Sequence, residues 1–362
     1  MAKPTRVPVA LVGGETLLGR DVRELLEKAP FVGEVTQYSV GVAKKQRVGE
    51  PEVMPPLSAA NLKTTPVVVL AGAESGDLSK QKGKTIVDVC GVLEDHPEAR
   101  LRAPLVEERA GNPLQVDKLA PSAGGPQKGM KPLLPVSIGN RTRVDNLPHK
   151  PGIQVIAHPA AIALALILKE VHRISPIRRS VVLIFEPASE RGQAGIEELQ
   201  KQTVGLLSFK KLPQEIYDAQ LTFNLLPRYG EDAPLRLEDI ELKIERHLAT
   251  LLAAAEGTIP MPSLRLVQAS VFHGYSLSLW VEFENNPGAD ALSAGLTAAR
   301  IDVRTEDHEP PTSAGVTGQS GITAGAISKD RNCASACWLW VVADNFKLAA
   351  ENALEVVREA VE

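Results

Sequence analysis

Seven histidines and three cysteines are the side chains from which nucleophilic, acid–base or metal chemistry could be built in this chain. Cys90, Cys333 and Cys337 are few and odd in number, which suits a reducing compartment better than a disulfide framework. Cys333 and Cys337 form a C-x3-C pair without a second pair at matching spacing. No metal site is expected from them, since structural zinc needs four closely placed ligands. Cys90 closes an apolar run and reads as a buried small hydrophobe. His158 lies in the apolar stretch Ile156–Leu168, where His158-Pro159-Ala160-Ala161 contains no Cys, Ser or Thr. A lone imidazole there reads as structural. His273 and Tyr275 stand two apart, so on a strand they share a side, ~6.5–7 Å apart. His273 reads as a packed or surface histidine, with a substitute base as the alternative.

A different chemistry is suggested by Gly13-Gly14-Glu15-Thr16-Leu17-Leu18-Gly19. Glycine lets the backbone approach a phosphate, and the N–H groups of a following helix favour an anion. Thr16 replaces a middle glycine of the usual fingerprint, and Glu15 brings a negative charge beside the phosphate position. Two readings stay open: retained dinucleotide binding, and a turn that no longer binds well. Further on, Ser39, Lys44, Lys45 and Arg47 could meet a 2′-phosphate, favouring NADP over NAD. A solvated basic loop explains them equally well.

These residues need a scaffold, and the hydrophobic pattern predicts one. Val7–Val12 reads as a strand, Leu17–Leu26 as a helix with apolar residues at helical spacing, and Val67–Leu70 and Ile86–Val89 as further strands. Alternation of this kind points to a parallel sheet with crossover helices. From Glu108 to Gly152 the chain is rich in Pro and Gly and reads as a long surface loop. Beyond it, Ile156–Val171 reads as an apolar helix, Val181–Phe185 as a strand, and Gly195–Leu207 and Asp239–Ala255 as helices. Leu264–Glu284 reads as one long strand or a hairpin with paired arms, Trp338–Val342 as a strand and Asn345–Val361 as a closing helix. The second half is therefore expected to be an α+β domain with an open sheet.

The bulk properties narrow the field. At 362 residues the chain has room for two domains, and a net charge of −4 without long basic tracts argues against nucleic acid and membrane surfaces. No stretch approaches the length of a membrane span, and a soluble, cytoplasmic protein is expected.

Five segments, in order, resemble aspartate-semialdehyde dehydrogenase. Leu11–Gly19 is similar to V-x-G-A-T-G-x-V-G, and Ser189–Leu199 to S-G-x-G-x-x-G-x-x-E-L. Gln220–Pro227 is similar to A-F-N-x-I-P, Val271–Ser276 to V-F-x-G-H-S, and Trp340–Asn345 to W-x-V-x-D-N. The resemblance implies an α/β fold: a Rossmann-like NAD(P)-binding domain, residues 1–150 plus the C-terminal helix from about 343, carrying the loop 108–152. An α+β dimerisation and substrate domain with a mixed open sheet follows over 153–342. It implies a homodimer, with a hetero-partner and the small-molecule ligand left open. It also implies NADP or NAD held by Gly13, Gly14, Thr16, Leu17, Leu18, Gly19, Ser39, Lys44 and Asn345, weakly or not at all.

The catalytic positions that the resemblance implies are changed. The nucleophilic cysteine corresponds to Ala160 or Ala161, the supporting glutamine to Glu186, the base to Tyr275 and the carboxylate-binding arginine to Gln268. The lysine expected ahead of the Asp239–Ala255 helix has no counterpart in Arg236–Glu241. A thiolate is needed to attack an acyl phosphate and later leave from a hemithioacetal. The chain thus resembles a branch of the family that has lost its cysteine, impaired in or repurposed from the family reaction. The alternative is a working NADP-dependent enzyme of amino-acid biosynthesis, or another NAD(P)-linked oxidoreductase, using a remodelled site. A structural subunit paired with a true dehydrogenase is a third reading.

Overall fold

The fold is seen in a computed structural model that describes residues 6–40, 55, 62, 65–72, 83–107, 151–253 and 259–361. Lys44, Lys45, Arg47 and residues 108–150 of the Pro/Gly-rich segment lie outside the described residues.

The apolar runs of the first half stack as predicted into a parallel sheet. Its strands are β1 (Val7–Val12), β2 (Val32–Tyr38), β3 (Val67–Leu70), β4 (Thr85–Asp88), β5 (Arg100–Arg102) and β6 (Gly152–Ile156), in the order β2-β1-β3-β4-β6-β5. Strands β3 and β4 are buried along their whole length, which explains continuous apolar runs instead of alternation. Helix α1 (Leu17–Lys28) follows β1, and the short α2 (Pro104–Glu107) follows β5.

Strand β6 corrects two expectations at once. Ile156 ends a strand of the first sheet, and the apolar helix α3 runs over Pro159–Ile174. The break falls at His158-Pro159, where proline suits the first helical turn because its missing N–H is unpaired there anyway. The boundary placed at 153 therefore cuts through a strand of the first sheet. Helix α3 is buried on all sides from Ala160 to Leu168, which accounts for its unbroken hydrophobicity.

The second sheet is mixed. It contains β7 (Ile177–Glu186), β8 (Leu225–Leu226), β9 (Ser263–Ala269), β10 (Tyr275–Phe283), β11 (Asp302–Arg304), β12 (Thr323–Lys329) and β13 (Ala336–Ala343), ordered β11-β12-β13-β10-β7-β9-β8. The Leu264–Glu284 hairpin is not formed: β7 lies between β9 and β10, parallel to one and antiparallel to the other. Val271 and Phe272 sit in the connection, where their carbonyls accept the Ala188 and Ser189 N–H groups. They are therefore not part of a continuous strand over Leu264–Glu284.

Helices α3, α4 (Gly192–Leu207), α5 (Leu237–Ala253) and α6 (Ala289–Ala298) belong to the second half, and α3 packs on both α5 and α6. Helix α7 (Asn345–Glu359) returns to the first sheet and packs on α1 and α2. Arg102 ties this return down, donating to Glu107 at 2.8 Å and to Glu359 at 2.8 Å. The inner face of β10 carries Tyr275, Leu277, Leu279, Val281 and Phe283 into the core. The opposite face of the sheet leaves Val181, Leu183 and Trp338 at 45%, 40% and 41% exposure.

Candidate functional site

The N-terminus of α3, the end of β7, the start of β10 and the side of α5 meet at one buried polar cluster. Ala160 and Ala161 lie fully buried in the first turn of α3 and present methyl groups only. His158 is the N-cap: its Nδ1 accepts the Ala160 N–H at 3.3 Å. That bond leaves the hydrogen of the neutral ring on Nε2, which faces Glu190 Oε2 at 3.8 Å. Burial, with the charges of Lys243, His247 and Arg191 around it, holds the His158 imidazole well below its usual range, so the ring is neutral. The structural reading of His158 holds.

Glu186 ends β7 fully buried, with Arg191 donating to its Oε1 at 2.7 Å. Burial pushes the Glu186 carboxyl up to about 7 even though Arg191 pulls the other way. Arg191 and Glu190 come from a short 3-10 helix, Ala188–Arg191, that turns the chain into α4. Both sit in a segment similar to a glycine-rich motif and were not singled out by it; the signal was Glu190, a charge where that motif has glycine.

Tyr275 is fully buried, and burial beside Glu190 and Glu186 raises its hydroxyl well above the usual phenol range. A phenol that holds its proton so tightly does not serve as a base near neutral pH. Gln268 is also buried. Its Oε1 accepts from Tyr229 at 2.6 Å, and its Nε2 donates to the Glu186 carbonyl at 2.8 Å, so it is tied into the scaffold. The cation bonded to Glu186 is Arg191, supplied by another element and already paired.

His273, the alternative base, is held by two partners. Its Nδ1 bonds Ser189 Oγ at 3.1 Å and its Nε2 faces Asp344 Oδ1 at 2.9 Å, with Phe346 against the ring.

Arg236–Glu241 holds no lysine, and Lys243 lies inside α5. Lys243 Nζ meets Glu94 Oε2 at 2.9 Å, and His247 Nε2 bonds Glu94 Oε1 at 2.9 Å. His247 Nδ1 in turn accepts the His158 N–H at 2.9 Å. Burial pushes the Glu94 carboxyl up, but His247 and Lys243 outweigh it and hold it at about 2. This chain of bonds joins the β4–β5 connection to α5 and to the start of α3. Sequence reasoning missed it because the spacing of Glu94, Lys243 and His247 reveals nothing until the topology brings them together.

The glycine-rich loop keeps its shape. Gly13 has φ +84°, and a Cβ there would meet the Gly72 nitrogen at 2.8 Å. Thr16 has φ −70°, a value any residue adopts, and it caps α1 by accepting the Gly19 N–H at 2.9 Å. The loss of the middle glycine therefore costs no strain. Leu17 and Leu18 open α1 behind it. Glu15 Oε1 accepts the Val40 N–H at 2.7 Å and the Ser39 hydroxyl at 3.0 Å, bridging the loop to the end of β2. Asn345 opens α7, accepts the Gly274 N–H at 3.2 Å and donates to Glu190 Oε1 at 2.7 Å. Cys90 donates to the Gly72 carbonyl at 2.8 Å, and burial raises its thiol far above the reactive range. Among the described residues no group of three or more His, Cys, Asp or Glu could hold a metal ion, and no helix is long and apolar enough to cross a membrane.

Comparison with known proteins places this geometry. Residues 168–347 match the model of the semialdehyde dehydrogenase, dimerisation domain. An aspartate-semialdehyde dehydrogenase of Rickettsia bellii is 29% identical over 213 residues, covering 57% of this chain and 62% of that one. Against such relatives the match spans about three-fifths of their length. That of a Synechocystis strain is 23% identical over 99% of this chain and 98% of its own. A crystal structure of aspartate semialdehyde dehydrogenase II from Vibrio cholerae, complexed with ASA, superposes with a TM-score of 0.70 at 19% identity, covering 99% and 98% of the two chains. The Candida albicans enzyme with NADP gives 0.60 at 15% identity, covering 98% of each. Residues 168–347 belong to the semialdehyde dehydrogenase dimerisation-domain family, and the chain as a whole is related to the aspartate-semialdehyde dehydrogenases.

Proposed function

We propose that this protein is a non-catalytic member of that family: a dehydrogenase scaffold, assembled as a homodimer, that does not carry out thioester chemistry. The observation that carries the reading is the first turn of α3, where Ala160 and Ala161 are fully buried and the adjacent His158 is spent on capping. Without a nucleophile no covalent acyl intermediate forms, whatever the remaining groups do. The surroundings support this. Tyr275 holds its proton, Gln268 is bonded into the scaffold, and Glu186 is paired with Arg191.

The reading gives the parallel-sheet domain only a weak hold on NADP or NAD. The loop backbone is retained, but the side chains that face a ligand are engaged within the chain, as Glu15 and Asn345 show. Homodimer formation is supported by the dimerisation-domain match and by the exposed outer face of the second sheet. The three free cysteines accord with a cytoplasmic setting.

The test is intact-mass spectrometry after incubation with aspartate semialdehyde and NADP in the absence of phosphate, where an acyl-enzyme would accumulate. The expected spectrum shows the unmodified chain. An acyl adduct mapping to any residue of the 158–161 turn contradicts the proposal.

A further inference from the structure

The weak hold on dinucleotide can be traced to particular groups, and the inference rests on that reading. We propose that two of the chain's own carboxylates, Glu15 at the adenosine end and Glu190 at the nicotinamide end, occupy the dinucleotide cleft and exclude the cofactor from both sides.

The adenosine end is fixed by topology. In a sheet of this order the phosphates lie over the β1–α1 loop, and the ribose lies between that loop and the end of the neighbouring strand, β2. Glu15 spans this gap, with its Oε1 on the Val40 N–H at 2.7 Å and on Ser39 Oγ at 3.0 Å. Among the described residues the Ser39 hydroxyl and the Val40 N–H are thereby used, and a carboxylate stands where a 2′-phosphate would bring two further negative charges. At about 4 Å in water each such pair repels enough that two of them weaken binding more than about tenfold.

The nicotinamide end is fixed by chemistry. Hydride transfer to a group at the start of α3 requires the nicotinamide beside that turn, where His158, Ser189, Glu190 and Asn345 meet. A nicotinamide carboxamide would be matched by an amide such as Asn345. Here Asn345 Oδ1 accepts the Gly274 N–H at 3.2 Å, while Nδ2 donates to Glu190 Oε1 at 2.7 Å and to Ser189 Oγ at 3.1 Å. The Glu190 side chain is only 13% exposed, so it fills the space as well as the hydrogen bond. Glu190 stands where the motif similar to this segment has glycine, so a side chain is added where that motif has none. Ligand binding at either end must break bonds the chain already makes.

Each carboxylate has its own probe. Isothermal titration of the full chain uses 2′,5′-ADP for the adenosine end and nicotinamide mononucleotide for the other. It compares the wild type with Glu15→Ala, Glu190→Gly and Glu190→Ala, each checked for folding by circular dichroism. The wild type is expected to bind both probes no tighter than millimolar. Glu15→Ala should tighten 2′,5′-ADP by at least about tenfold, from the repulsion removed, and leave nicotinamide mononucleotide unchanged. The Glu190 variants should do the reverse, the alanine variant serving where the glycine variant does not fold. Folded variants with unchanged affinities, or with gains at the opposite end, overturn the inference and leave the weak-binding reading standing. Micromolar binding of NADP by the wild type overturns both.

Discussion

Glu186→Gln is predicted to stabilise this protein, and to do so only at the higher pH. Glu186 is fully buried, with one carboxylate oxygen on Arg191 and the other, Oε2, lacking a partner. Its carboxyl is raised from the usual 4.5 to about 7, chiefly by burial. An acid raised in the folded state binds more protons folded than unfolded between those two values. Stability is therefore lost as pH rises from 4.5 to about 7, and the loss is complete above it. At about 1.4 kcal/mol per pH unit this amounts to roughly 3 kcal/mol. Glutamine mimics the protonated form. The variant should gain about 2–3 kcal/mol over the wild type at pH 8 and close to nothing near pH 5. Urea unfolding followed by tryptophan fluorescence reads this out directly, because Trp280, Trp338 and Trp340 all lie on the second sheet that β7 ends in. A gain that does not change with pH refutes the burial argument. A loss confined to pH 8 would show that Arg191 stabilises the charged form and that burial is the weaker effect.

Other perturbations test neighbouring parts of the account. Ala161→Cys alone should give no turnover with aspartate semialdehyde, phosphate and NADP, because Tyr275 and Gln268 supply neither base nor carboxylate clamp; appreciable turnover would show that the supporting groups are sufficient. Glu94→Gln should destabilise the protein by about 2 kcal/mol at neutral pH, having lost a charge-assisted partner for Lys243 and His247. Since the Glu94 carboxyl is held at about 2 against a usual 4.5, that stabilisation is present above 4.5 and fades as pH falls toward 2, so acid unfolding curves of variant and wild type should converge. Leu183→Asp on the exposed face of the second sheet should convert a species of twice 38.8 kDa in light scattering into one of 38.8 kDa; an unchanged mass would place the interface elsewhere.

Much of the architecture was legible because it depends on local pattern. The run Val7–Val12, the glycine turn and the spacing of Val22 and Leu26 give strand, loop and helix from residues close in sequence. The hairpin expectation failed for the opposite reason. Strand β7 enters between β9 and β10 from nearly eighty residues upstream of β9, and no local signal specifies a long-range neighbour. Strand β6 was hidden because its apolar residues run on into α3, with only His158-Pro159 between them. That the His158–Ala161 turn holds no Cys, Ser or Thr could be read directly, since it needs only residue types. The buried cluster could not be read, because Glu94, Glu190, Arg191, Lys243 and His247 are charged or polar residues that sequence places on the surface by default. Their burial follows from mutual pairing, which exists only once the two sheets and α5 have come together.

The central claim, that the scaffold has lost its thioester chemistry, is tested most directly by a turnover assay. Purified protein is mixed with aspartate semialdehyde, inorganic phosphate and NADP, beside a cysteine-containing relative under the same conditions. The account predicts NADPH production by the relative and none above background by this protein. A steady NADPH signal that is abolished by a thiol-alkylating agent would contradict it.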